Sequence, residues 1–349
     1  MAQLVAALAT SHTPLLVTDA ELWPMLAERD RTNPMLYDDR GVHRTYDELA
    51  AEAGSRHEGV LTTERFAETH RSLHAALDRL AADLAAAAPD LVIIVGDDQH
   101  ELFDDTNQPA IAIGWGDTLH TGLSMGPPSP LADQIRVGYA MDRARPFPGA
   151  PHTAKALIGS LLGQGFDVAS VGTPPGMATA VGNGTPNGDG SATAESAHNG
   201  YGHAYGFIIH RLFGGRALPT VPVLLNTFYP PNQPSAARCH DLGRALARAV
   251  AELPGDERVV VIASGGLSHF VVDEALDAIV IDALRRGDGE PLRTLPAHLL
   301  EAGSSEIRNW IAVAGCVDGR PADWLEYHPV RRSPAGTGVG CCFASWRLS

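Results

Sequence analysis

Residues 91–95 read LVIIV, five apolar side chains with no polar alternation, directly after a Pro89-Asp90 break. A strand with one wet face alternates apolar and polar residues, so an unbroken run needs cover on both faces, as in a sheet between helical layers. Upstream, Phe66, His70, Leu73, Leu77, Leu80 and Leu84 recur at steps of three and four, the stripe of an amphipathic helix ending before Pro89. The unit then repeats. Strands are expected at PAIAIGW, DVASV, TVPVLLNTF and RVVVIAS, with helices at 131–144, 153–162, 204–213 and 236–253. Helix dominates again over 273–313, and GTGVGCCFASW closes the chain as a turn and strand. This alternation predicts an α/β fold, a mixed central sheet flanked by helices.

We expect one domain over residues 1–349 with two excursions, at about 20–60 and 173–200. In the first, Thr45 and Glu48 stand at capping-box spacing ahead of a short helix. The second contains no Leu, Ile, Phe, Trp or Tyr and is rich in Gly, Ala, Thr and Asn, a composition that cannot bury enough to offset its ordering entropy. We expect a mobile loop there that closes over substrate.

With 26 Lys plus Arg against 41 Asp plus Glu, the formal net charge is -15. That field repels phosphate backbones and acidic membrane faces, so no nucleic-acid or membrane partner is expected. It also repels an anionic substrate, which local Arg or His groups would have to overcome. The four cysteines, Cys239, Cys316, Cys341 and Cys342, form no CxxC pair, which fits a reducing cytoplasm. The apolar start MAQLVAALAT lacks a basic flank and reads as a buried strand, not a leader.

Four polar sites fall at strand ends or a loop-helix junction, where open α/β sheets place ligands. Ser11-His12-Thr13-Pro14 follows the first strand, and Pro14 holds the turn that presents His12. Gly96-Asp97-Asp98-Gln99-His100 closes the LVIIV strand; two acids beside a histidine are costly together unless a cation or hydrogen bonds compensate, and a solvated turn is the plain alternative. Gly265-Gly266-Leu267-Ser268-His269 follows RVVVIA-Ser264, but without G-x-S-x-G it is no nucleophile elbow, and without GxGxxG no phosphate loop. Gly202-His203 opens a helix whose dipole would lower the imidazole pKa and favour a neutral base. His198 and His210 are rivals nearby, His210 being expected in the core. No HExxH or CxxC occurs, so any metal site must be assembled from distant segments.

Together with Tyr229-Pro230-Pro231, Arg238-Cys239-x-x-Leu242-Gly243 and Ala302-Gly303-Ser304-Ser305-Glu306-Ile307-x-x-Trp310, these segments occur in the order of the LigB-like extradiol ring-cleavage dioxygenases. The chain resembles that family from residue 8 to about 315, most specifically in GGLSH and AGSSEIRNW. The resemblance implies a 2-His-1-carboxylate non-haem iron(II) site, with Mn or Zn as lesser alternatives, acting on a small catechol-like aromatic and O2. It assigns His12 and Glu306 as metal ligands. The family's second histidine aligns, without gaps, with Gln99; His100, one residue on, is the expected ligand because imidazole suits iron better, with Gln99 as the alternative. His203 and His269 match the catalytic histidines: His203 takes a proton as substrate binds, and His269 acts as general acid before ring opening. The resemblance further implies a homo-oligomer. A non-catalytic metal-binding or interaction scaffold and a zinc-dependent hydrolase remain as competing readings.

Overall fold

The structure, a computed structural model, describes residues 1–123, 128–172 and 200–348; residues 173–199, nearly all of the expected lid, lie outside that set. Strands, in chain order, are β1 (Gln3–Thr10), β2 (Leu91–Asp97), β3 (Ile111–Gly114), β4 (Thr118–His120), β5 (Pro146–Pro148), β6 (Ala169–Val171), β7 (Thr220–Leu225), β8 (Arg258–Ser264), β9 (Trp324–Arg331) and β10 (Gly338–Arg347). Eight form one mixed sheet in the order β6-β3-β7-β2-β8-β1-β10-β9, and β4 pairs with β5 alone. Strands β7, β2, β8 and β1 run parallel, while β10 and β9 add an antiparallel edge. The expected fold class is thereby observed.

The LVIIV run explains the layering. Leu91, Ile93 and Val95 enter one core, and Val92 and Ile94 enter the other on the opposite face. The helices relevant to the site are α1 (Pro14–Val17), α2 (Trp23–Asp30), α3 (Tyr46–Ala53), α4 (Thr63–Ala87), α5 (Pro130–Gly138), α6 (Pro151–Gly163), α7 (His203–Arg211), α8 (Ala236–Glu252), α9 (Glu274–Arg286), α10 (Glu290–Arg293) and α11 (Ile307–Cys316). Helices α6, α8, α9 and α11 cover the first face, and α1, α2, α4 and α7 the second.

The α4 stripe is buried at Phe66, Leu73, Leu77, Leu80 and Leu84, as its spacing predicts. The Thr45–Glu48 capping box forms, with Thr45 Oγ1 accepting from Glu48 N–H and the Glu48 carboxylate accepting from Thr45 N–H. The helix expected over 131–144 ends earlier, at Gly138, and the chain turns into β5. Helices α8 and α11 cross closely: a Cβ on Gly243 would lie 1.8 Å from Ala312 O, and one on Gly315 2.1 Å from His240 O. No helix among the described residues is long and apolar enough to cross a membrane.

Candidate metal centre and active site

The carboxyl ends of β1, β2 and β8 lie side by side because those strands are parallel neighbours. Each delivers a polar turn to one crevice. Thr13 caps α1 through its side chain and Pro14 occupies the first turn, which fixes the preceding His12 at the strand end. Asp97 is the last residue of β2. His269 leaves the Gly265-Gly266 turn after β8, and Glu306 ends a 3₁₀ turn, Ala302–Glu306, that feeds α11. His203 is the first residue of α7.

One ligand atom each from His12, Asp97, His203 and Glu306 lies within 4.8 Å of the others. His12 Nε2 is 3.3 Å from Glu306 Oε2 and 4.0 Å from Asp97 Oδ1, and His203 Nε2 is 3.9 Å from Asp97 Oδ2. His269 joins from the other side, its Nε2 3.2 Å from Glu306 Oε1.

The tautomer of His12 follows from its neighbours. Ser264 Oγ donates to Ala204 O at 2.7 Å, so its lone pair accepts from His12 Nδ1–H at 2.9 Å. In the neutral ring Nε2 then bears the lone pair, buried, with no hydrogen-bond partner, and pointed at two carboxylates. A lone pair facing carboxylate oxygens is repulsive unless a cation lies between them. The donor set therefore fits a metal ion, and its nitrogen and oxygen atoms suit first-row divalent ions. Glu306 is further oriented by Gly266 N–H, which donates to Oε2 at 2.7 Å.

His100 lies outside this group. It adopts φ +65°, stacks on Tyr229 with ring centroids 3.7 Å apart and planes 4° apart, and directs Nε2 to Asp105 Oδ1 at 3.5 Å. Its ring is thus engaged with Tyr229 and Asp105 and contributes no atom to the cluster. Gln99 faces the centre instead, its amide nitrogen 3.3 Å from both Asp97 Oδ2 and Glu306 Oε1. The two acids of the DDQH segment divide the work: Asp97 joins the cluster, while Asp98 accepts from Leu102 N–H and Phe103 N–H and shapes the loop. Burial and the neighbouring Glu101 push the Asp98 pKa up to about 7.

Glu101, which the sequence reading did not single out, is the partner of His203. It hydrogen-bonds His203 Nδ1 and accepts from Gln99 N–H at 2.6 Å. Gly202 is required beside it, since a Cβ there would sit 2.4 Å from the Glu101 carboxyl carbon. Burial opposes charge on His203, yet the Glu101 contact, with Asp97 and Glu306 behind it, lifts its pKa to about 10. The expected lowering by the helix dipole is thus reversed: an adjacent carboxylate outweighs a terminus effect of roughly 0.3–1 kcal/mol. Glu101 mirrors this; burial would raise its pKa, but His203 draws it down to about 2. His269 also has a raised pKa, where burial is outweighed by Glu306 and by the Nδ1 contact to Leu267 O at 2.8 Å. Its ring packs closely against Gly303, where a Cβ would meet Cδ2 at 2.1 Å. Within the cluster, burial and Glu306 raise Asp97, whereas for Glu306 burial is outweighed by the neighbouring His269, which holds its pKa well down.

The AGSSEIRNW block supplies the scaffold. Arg308 donates to Pro234 O, Thr227 O and Leu300 O; Asn309 Nδ2 donates to Ser264 O at 2.8 Å; Trp310 Nε1 donates to Gly265 O at 2.6 Å. Ser304 Oγ brackets His269, accepting from its N–H and donating to its carbonyl, both at 3.0 Å. His210, expected in the core, is exposed near the end of α7; His198 falls outside the described residues.

The centre opens into a cavity of about 410 Å³, walled by Leu26, Ile135, Tyr139, Met141, Phe270 and Val339. That volume falls within the roughly 300–1,000 Å³ of small-molecule sites. Leu26 comes from α2, so the 20–60 excursion builds part of the wall.

The family model described as "Catalytic LigB subunit of aromatic ring-opening dioxygenase" matches residues 59–340. His12 precedes that span, so its membership of the site rests on the geometry above. A gallate dioxygenase of Pseudomonas putida is 30% identical over 119 residues, 30% of this chain and 33% of that protein. The chain therefore aligns with about a third of that relative's length. With a matched span covering most of its length, the chain belongs to the family of catalytic LigB subunits of aromatic ring-opening dioxygenases.

Proposed function

We propose that this protein is a non-haem Fe(II)-dependent extradiol-type dioxygenase that opens the ring of a catechol-like, dihydroxy or aminohydroxy, aromatic with O2. The observation that carries the reading is the unpartnered Nε2 of His12, converging with Glu306 and Asp97 beside two further imidazoles in an apolar-walled cavity. His12, Glu306 and Asp97 would hold the metal, with the Gln99 amide bracing both carboxylates. When bound, iron(II) would supply a Lewis-acidic, redox-active centre with positions open to substrate and oxygen.

The remaining chemistry belongs to the protein. With a metal ion neutralising Asp97 and Glu306, the carboxylates behind Glu101 would no longer hold a proton on His203, whose Nε2 would then receive the proton of a substrate hydroxyl while Glu101 at Nδ1 stabilises the imidazolium formed. His269 presents Nε2 from the opposite side of Glu306, fixed by Leu267 O and Ser304, and delivers a proton during ring opening. Tyr139 packs edge-on to His12 and His203 and, with Phe270 and Val339, keeps bulk water from these transfers.

Anaerobic loading with Fe(II), followed by a panel of catechols, gallate and aminophenols, tests this. One O2 consumed per substrate with a yellow ring-opened product is expected; no uptake with any member refutes it. The carboxylate-rich donor set also admits a zinc hydrolase, for which protein purified without added metal would carry zinc.

A further inference from the structure

We propose that Arg332 is the anion receptor of this cavity and selects aromatic substrates bearing a carboxylate, a specificity that rests on the dioxygenase reading above. Arg332 follows β9 and, among the described residues, is the one Lys or Arg lining the cavity that His12, His203, His269 and Glu306 also line. It is 9% exposed. Its Nε and Nη2 donate to the two oxygens of Asp30, at 2.7 and 2.8 Å, from the last residue of α2.

Asp30 is itself buried and also accepts from Thr337 Oγ1 at 2.5 Å, while Arg332 N–H donates to Thr337 O at 2.8 Å. The guanidinium is therefore clamped along one edge by a carboxylate and held from behind by the turn between β9 and β10. A guanidinium carries five N–H donors, and this clamp engages two. Nη1 has no hydrogen-bond partner among the described residues, and the side chain borders the cavity.

The free guanidinium edge meets the cavity and not the protein, so a bound molecule can take it up, and a planar carboxylate is the group that satisfies it best. A purely structural rivet between α2 and the β9–β10 turn would need no donor edge on the cavity. The arrangement also answers a problem of charge. A protein of formal charge -15, with Asp97, Glu101 and Glu306 at the same site, would repel an anionic ring substituent unless a fixed cation met it. Asp30 keeps the guanidinium oriented, so little side-chain entropy is lost on binding.

The test measures equilibrium affinity rather than turnover. Fe(II)-loaded protein under argon is titrated by calorimetry with 3,4-dihydroxybenzoate and its methyl ester, and with 3-(2,3-dihydroxyphenyl)propionate and its methyl ester. At least one acid should bind about tenfold or more tightly than its ester, the scale of one charge-assisted contact. Arg332→Gln should bring that ratio to within about twofold of unity while leaving ester affinity within about threefold. Arg332→Lys should retain part of the preference, because it keeps the charge without the fork. Acids and esters binding equally to the native protein, or a preference that survives Arg332→Gln, overturns the assignment alone. No binding of any of the four compounds overturns it together with the dioxygenase reading.

Discussion

Ser264→Ala is the substitution that most sharply separates a metal centre from a buried polar knot. Ser264 is fully buried at the end of β8 and joins three segments, accepting from His12 Nδ1–H and donating to Ala204 O at the start of α7. Removing its hydroxyl deletes two neutral hydrogen bonds and strands one donor and one acceptor, which amounts to roughly 2–3 kcal/mol of folding stability. Its second consequence is specific. Without Ser264 the Nδ1–H of His12 has no fixed acceptor, so the Nε2 lone pair is no longer aimed at Glu306 and Asp97. Loss of such an outer contact to a metal-bound histidine typically weakens affinity about 10- to 100-fold. Urea unfolding gives the first quantity, and anaerobic competition of Fe(II) between protein and a chelator gives the second. A stability loss of the expected size with metal affinity within twofold of the native protein would refute the tautomer argument.

Two further expectations concern the scaffold. A methyl group at Gly243 would collide with Ala312 O, so Gly243→Ala should lower stability by about 1–3 kcal/mol or more through overpacking, and an unchanged urea midpoint would contradict the close crossing of α8 and α11. Burial, with charge from His70 and Arg211, lowers the His74 pKa to about 4, so its contribution to stability is present above the unfolded value near 6.5 and lost as pH falls through 4. His74→Gln should therefore reduce the loss of stability between pH 7 and 4 by about 1–2 kcal/mol after allowance for solvent screening; equal losses in both proteins would count against this.

The fold was legible wherever burial dictated composition. The LVIIV and RVVVIAS runs and the α4 stripe have both faces or one face determined by the core, and they form as their patterns predict. The strand Trp324–Arg331 escaped because it lies at the sheet edge, is mostly half-exposed, and carries Glu326, His328 and Pro329. Edge strands tolerate such residues, so no apolar pattern marks them.

The structure brings together His12, His203, His269 and Glu306, which the sequence singles out, because turns of Gly and Pro after buried strands mark where a sheet presents side chains. The corner at Asp97-Asp98-Gln99-His100 was not legible. Nothing in four consecutive polar residues marks the left-handed backbone at His100 or its stacking on Tyr229, and chemistry alone favours the imidazole that stands outside the cluster. Glu101 was missed for a related reason: its role exists only relative to His203, 102 positions along the chain. The signal was the uncompensated acidity of the segment, already visible in Asp97 and Asp98, which called for a cation or for imidazoles.

The centre itself can be located directly. Crystals loaded anaerobically with Fe(II) should give one anomalous peak at the iron edge, bounded by His12 Nε2 and the carboxylates of Glu306 and Asp97. A peak beside His100 and Asp105, or no peak within reach of His12, would contradict the account.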